Sequence, residues 1–339
     1  MRCFRFKCRF LLFFPFLAEA ISPPPHVEEQ VQTWFSGTIL SISPYSLTPG
    51  QVNIEPFLFT IANTAVYDSH WHKQSIPTLW NNKLEIFAGV GIAPCFDIYI
   101  DPTFWWNYCE GSAHWEIGDF PLFLEFQLYR SAPTDWAPSI KLDLIEVFPT
   151  GSYQHFDPKA NLTQLSGTGS WQTALWLIAG NLVHLSGIHY MNYRILLSYS
   201  IASPVHVSGF NAYGGGFGAD ARVFPGQSFF VLSSFEWGLT KNWAFALDLF
   251  SIWQTRIRYS GFPGTVVPLN STKYAALTAA GKSPLAPLGS GSSAQFSMIP
   301  ALEYNWNANL GMLVASWFTV GGRNAPAFTS GVVAVNINL

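Results

Sequence analysis

Charge is scarce in this chain and stands in odd company. Glu236 and Asp248 lie within "VLSSFEWGLTKNWAFALDL", surrounded by aromatics and leucines. A carboxylate in an apolar run is costly unless it meets a base, a metal or backbone N–H groups. Such residues are therefore candidates for chemistry: ion coordination, acid–base work or the orientation of a polar solute. Ten more share the property: Lys83, Glu85, Asp97, Asp101, Glu125, Lys141, Asp143, Arg194, Arg256 and Arg258. Other constellations are weaker. "SHWHK" sets His70 and His72 two apart, a spacing open to a metal only if a third ligand comes from elsewhere. His155 and Asp157 could pair as base and orienting acid, but no serine stands in a G-x-S-x-G context. "AYGGGFGAD", Ala212 to Asp220, does not join a strand to a helix, so it is no phosphate loop. The expectation is a protein that is not an enzyme and has no metal or cofactor.

The elements that must position these charges follow from periodicity. In "DFPLFLEFQLYR", Phe120, Leu122, Leu124, Phe126 and Leu128 share one face, with Asp119, Glu125 and Gln127 opposite. That period of two is a β-strand. It recurs in "CFDIYIDPTFWW", with Phe96, Ile98, Ile100, Phe104 and Trp106 opposite Asp97, Tyr99 and Asp101. It returns near the end, with Gln295, Ser297, Glu303 and Asn305 opposite Phe296, Met298, Leu302, Tyr304 and Trp306. Twelve strands are predicted: 51–62, 83–92, 95–107, 118–130, 137–149, 169–180, 187–204, 226–239, 242–258, 293–305, 308–320 and 327–338. No run of eighteen apolar residues exists, so the chain has no candidate transmembrane helix.

The links between strands alternate in length. "GIAPC", "SAPTDW", "NLVHLSG", "LTKNW" and "NWNAN" are short, whereas 63–82, 108–117, 150–167, 205–225 and 259–292 read as long loops. Short turns at one end and long loops at the other describe an all-β, up-and-down antiparallel barrel of the outer-membrane type. A soluble β-sandwich also alternates, but strands of about ten residues match a tilted membrane crossing. Tryptophans at the strand ends, Trp105, Trp106, Trp237, Trp243 and Trp306, suit the two membrane interfaces.

Composition agrees. The 339 residues are 49% hydrophobic, 17% aromatic and 11% charged, against roughly 25% charged in a soluble domain. No basic field argues for nucleic acid. Residues 1–20 have a basic start, an apolar stretch and the pattern Ala18-Glu19-Ala20, which predicts export and cleavage after Ala20. Residues 21–48 then form a periplasmic arm and 49–339 the barrel, in a bacterial outer membrane. Cys95 and Cys109 stand at opposite ends of one strand, roughly 45 Å apart. That is too far for a disulfide.

In such a barrel charge faces the lumen, so parity assigns all twelve charged residues named above to the interior. Twelve strands lie between a barrel filled by side chains and one holding a water channel, which predicts a narrow bore. The arm 21–48 and the loop 259–292 are the candidates to occlude it, and "NSTKYAALTAAGK" in that loop is a candidate short helix.

The segment "EVFPTGSYQHFDPKANLTQLSGTGSW" resembles a signature of the MetA-pathway phenol-degradation transporter family. It does so at Phe148-Pro149-Thr150-Gly151, Asn161 and Gly167-Thr168-Gly169-Ser170-Trp171. "SGTIL" and "LTPGQVNIEPFLF" are similar to N-terminal regions of bacterial transporters. The resemblance implies a barrel that admits small, often apolar or aromatic solutes. Its partners would be outer-membrane lipid, the solute and the barrel-assembly machinery, which in such barrels often reads a final aromatic residue, whereas this chain ends "VVAVNINL" with Leu339 last. The other readings are a surface barrel that holds a partner through its external loops and, behind it, a barrel hydrolase.

Overall fold

The computed structural model describes residues 33–132, 136–187 and 189–339. The expected signal at 1–20 and the first part of the arm, 21–32, lie outside the described residues.

The strands are β1 (Val52–Tyr67), β2 (Lys73–Ala93), β3 (Phe96–Ile100), β4 (Thr103–Cys109), β5 (Ser112–Ile117) and β6 (Phe120–Tyr129). They continue with β7 (Ser139–Phe148), β8 (Gln172–Ser186), β9 (His189–Ala202), β10 (Val205–Ser208), β11 (Asp220–Phe224) and β12 (Gln227–Gly238). The last are β13 (Trp243–Gln254), β14 (Arg258–Phe262), β15 (Ser293–Asn307), β16 (Leu310–Arg323) and β17 (Ala325–Asn338), with one helix, α1 (Thr272–Ala279). Every main-sheet pairing is antiparallel, and β1 pairs with both β17 and β2, which closes the sheet. β3 and β4 both pair with β2 and act as one wall strand; β5 and β6 act as another. The result is a closed twelve-strand barrel. Closure leaves no unpaired sheet edge, as hydrocarbon requires.

Parity sets the two faces. Leu58, Leu175, Leu302 and Val314 point outward with about half their surface open. A soluble protein rarely leaves a continuous apolar band uncovered, and here lipid is the natural cover. Trp237, Trp243 and Trp306 are exposed at the short-turn end, and Trp106, Trp171 and Trp253 at the other. These are the two aromatic girdles of a membrane barrel.

Two expected long loops are tight hairpins. β1 and β2 stay paired from Val52–Val90 to Tyr67–Lys73, so the link spans 68–72 only. The register slips between Asn63 and Ala65, opposite the stretch that holds Pro77, which has no N–H for the ladder. β4 and β5 turn on Glu110 and Gly111, both with positive φ (47° and 87°), the geometry of a two-residue type I′ turn. The polar composition of these segments suggests loops, but pairing carries on through them.

The wall has one seam. β3 and β4 are separated by Asp101-Pro102, and β5 and β6 by Gly118-Asp119. Asp101 N reaches Pro121 O at 3.2 Å and Gly118 N reaches Thr103 O at 2.9 Å, while Pro102 and Pro121 donate nothing. Gly118 is required here, since a Cβ would lie 1.9 Å from Thr103 Oγ1.

At the long-loop end, β10, β11 and β14 form a separate three-stranded sheet over a small core of Val205, Val207, Ala221, Val223 and Leu288. The helix α1 falls in the loop where a short helix is expected, capped by Ser271, whose hydroxyl accepts from Tyr274 N.

Candidate functional site

The lumen has two levels. At the short-turn end, periplasmic in barrels of this type, inward charged and amide side chains surround residues 34–47 of the arm, which cross the bore. No residue from 33 to 48 is charged, so the wall holds the arm by its backbone. Ser36 N donates to Glu303, Gly37 N to Glu236 Oε1 at 3.0 Å, Leu40 N to Asp248 Oδ2 at 3.0 Å and Leu47 N to Asp97 Oδ2 at 3.0 Å. Ser46 N donates to Gln127 Oε1 at 2.8 Å. Wall donors meet the arm's carbonyls in turn: Asn305 on Trp34 O (2.9 Å), Asn336 on Ser36 O (3.0 Å) and Arg194 on Ser41 O (2.8 Å). Gln127 takes Pro44 O (2.9 Å) and Arg130 takes Ser46 O (2.7 Å). The six that involve a carboxylate or a guanidinium are charge-assisted, a kind roughly twice as strong as neutral ones.

Of the residues predicted to line the lumen, ten are on the inner face. Glu236 accepts from Arg194 Nη2 at 2.6 Å and from Asn192 at 2.7 Å as well as from the arm. Lys141 donates to Glu125 at 2.6 Å, both fully buried, with buried Asp143 two residues along the same face. Lys83 pairs with Glu85 and lies 4.3 Å from the centre of the Phe59 ring. Asp97 meets the arm, and Asp101 stands at the seam.

Arg256 and Arg258 are corrections. β13 ends at Gln254, Arg256 follows it, and Arg258 opens β14 in the external sheet; both are exposed. Alternation continues past the membrane because the chain passes straight from one sheet into the other, so parity alone cannot mark where the wall stops. The prediction also omits Glu55, Gln127, Asn192, Glu303 and Asn336, all on the inner face. Glu303 has the parity of Ser297 and Asn305, a signal present in the sequence.

Above the charged level lies a belt of aromatic rings. Phe87 stacks on Tyr99 at 4.6 Å and meets Phe123 edge-on at 5.3 Å; Phe123 meets Trp176 at 5.7 Å. Trp176 meets Phe230 at 5.4 Å, Phe230 meets Phe250 at 5.3 Å, and Phe250 meets Trp317, which meets Phe59. Ile145, Leu196, Ile299 and Val332 fill the belt on intervening strands, and Ile39, Leu40, Ile42 and Leu47 of the arm pack against it from below. The lumen face was expected to be polar. It is apolar at the height of the belt and polar on both sides of it: toward the long loops Asn63, Asn81 and Asn107 bond in a row, and Ser200 meets Ser228. A cavity of about 580 Å³ remains between arm and belt, lined among others by Phe57, Phe87, Tyr99, Phe123, Trp176 and Lys141.

The remaining candidates lie outside the lumen. His70 and His72 sit at the exposed tip of the β1–β2 hairpin, where Asp68 Oδ1 accepts from both backbone N–H groups (2.7 and 3.0 Å). Those bonds, His72's first, hold the Asp68 carboxyl below its ordinary pKa. Asp157 accepts from Lys159 N at 2.9 Å. Cys95 is exposed at a turn and Cys109 buried at the far end of the same wall strand, both as free thiols. The motif 148–171 forms a clasp at the outer rim: Asp119 accepts from Gly151 N (3.0 Å), Thr168 N (2.9 Å) and Thr168 Oγ1 (3.0 Å). Gly151 and Gly167 touch so closely that a Cβ on either would lie under 3 Å from the other's backbone.

By sequence the chain matches no family model and no curated protein. By structure it is similar to an outer-membrane channel from Pseudomonas putida F1, at 13% identity and a TM-score of 0.64, covering 89% of this chain and all of that one. The translocator domain of the autotransporter NalP from Neisseria meningitidis aligns over 86% of this chain and 89% of its own, at 8% identity and a TM-score of 0.44. The CymD monoaromatic hydrocarbon channel aligns over 86% and 89%, at 8% identity and 0.35. The first of these shows the fold: this chain is built as an outer-membrane β-barrel.

Proposed function

We propose that the protein is a bacterial outer-membrane channel for small apolar or aromatic solutes, with the arm as its periplasmic gate. The observation that carries this reading is the pairing of an aromatic belt with an uncharged segment laid across the bore beneath it. Aromatic rings give a solute a surface to exchange against without fixed hydrogen bonds. A segment that is in no strand and is held by side-chain hydrogen bonds can leave without breaking the wall's ladder, and the resemblance at 148–171 and the channel from Pseudomonas putida F1 support passage as the purpose. Lys83, Glu85, Asp101, Lys141 and Arg194 would orient the polar end of a solute.

Planar-bilayer recordings test the gate. Protein lacking residues 33–48 is expected to conduct severalfold more than the full chain, and loss of 259–292 to change conductance less. The external sheet of β10, β11 and β14 favours a second reading, a surface barrel that holds a partner. A barrel that stays closed without its arm would support that reading over transport.

A further inference from the structure

Ten hydrogen bonds tie the arm's backbone to wall side chains, five from its N–H groups and five to its carbonyls. The arm's side chains do much less polar work. Tyr45 Oη donates to Asn181 and accepts from Leu182 N at 3.2 Å, Ser36 Oγ meets Asn305, and Lys241 and Arg130 lie over the Trp34 and Tyr45 rings. Its apolar side chains Ile39, Leu40, Ile42 and Leu47 pack against the belt. Groups that read peptide N–H and C=O take any residue that can adopt the same extended path, and side-chain pockets then add preference. The wall also keeps its order without the arm's help in part, since Arg194 is anchored on Glu236, and Asn305 on Glu303 at 2.7 Å.

We infer that the periplasmic half of the lumen is a binding site for an extended polypeptide backbone, one that a separate, uncharged peptide can occupy in place of the chain's own arm. The ligand it fits is about ten residues long. It has glycine where Gly37 sits at φ 116°, and aliphatic residues at the places of Ile39, Leu40, Ile42 and Leu47. An acidic side chain is excluded along most of the path, because it would join a layer that already holds Asp97, Glu125, Asp143, Asp248 and Glu303. The inference rests on the arm's hydrogen bonds and stands whether or not the barrel conducts solutes.

The test starts from the full chain with a protease site inserted between Pro49 and Gly50, an exposed turn, cut after the barrel has folded with its arm in place. A labelled synthetic peptide of residues 33–48 is then offered to cut and uncut protein. The cut barrel is expected to take up label saturably as its own arm exchanges out, and the uncut barrel to take up far less. N-methylation of the peptide at Leu40 or Leu47, which removes the N–H given to Asp248 or Asp97 and keeps the side chain, is expected to weaken binding about tenfold at each site. Replacing exposed Ser43 by alanine is expected to leave affinity within about threefold. A cut barrel that takes no label, or N-methylated peptides that bind as well as the parent, would overturn the proposal.

Discussion

The two levels of the lumen use the same strands, the same parity and opposite chemistries. On β12, Phe230 belongs to the aromatic belt and Glu236, six residues further along the same face, holds Gly37. On β6, Phe123 and Glu125 differ by one step of the alternation. The difference lies in what stands opposite. Rings meet rings on neighbouring and next-but-one strands around the wall and bury each other, while charges face a backbone whose N–H and C=O groups would otherwise lack partners. Parity decides which face a residue occupies; the partner it meets there, arm or neighbouring strand, decides what it is for.

This contrast can be broken in stages. The largest effect is expected from removing residues 33–48, which should raise conductance without shifting the belt, read by bilayer recording alongside tryptophan fluorescence. A barrel whose belt fluorescence collapses on arm removal would mean that the levels are not separable. Lys141→Met leaves Glu125 buried beside Asp97 and Asp143 with no base, and should cost about 3–5 kcal/mol in denaturant unfolding. Adding Glu125→Gln should recover part of that loss, and an additive double variant would deny the pairing. Phe123→Ala removes the ring between Phe87 and Trp176 and should cost about 3 kcal/mol in denaturant unfolding, with a smaller effect on arm exchange than loss of the N–H given to Asp97 or Asp248. Gly37→Val forces a β-branched residue to a positive φ, with a penalty of about 1–3 kcal/mol. Because the strain falls on the arm, the signature is faster amide exchange at residues 36–40 with an unchanged unfolding midpoint. The smallest effect lies at the hairpin tip. The Asp68 carboxyl titrates lower when folded than when unfolded, so its contribution is complete above the unfolded pKa of about 3.9. It is lost as pH falls through the folded value. Asp68→Asn should abolish that acid dependence of exchange at His70 and His72 and change little else.

Much of the architecture is legible in the chain because a barrel wall enforces a simple rule. A strand that faces lipid on one side must alternate, and all twelve predicted strands overlap wall strands of the structure. Glu236 and Asp248 were identifiable as inward by parity alone. The hairpins at 68–72 and 110–111 were hidden because a polar strand above the membrane has the composition of a loop. The aromatic belt was hidden for a related reason. Phe57, Phe123 and Trp176 lie in strands whose outer face is also apolar, so hydrophobicity could not separate rings meant for lipid from rings meant for each other. The arm's route was unreadable from its own residues, since a segment held by its backbone carries no side-chain signature of its partners; the signature is in the wall, as carboxylates with no base nearby in sequence.

The seam at Pro102 and Pro121 gives the barrel a direction. A closed ladder resists stretching evenly around its girth, but here two adjacent wall strands are each broken within two residues of the other's proline. At that point the ladder is carried by Ile86 N on Pro102 O, Asp101 N on Pro121 O and Gly118 N on Thr103 O, and Asp101 and the Lys83–Glu85 pair stand on its inner side.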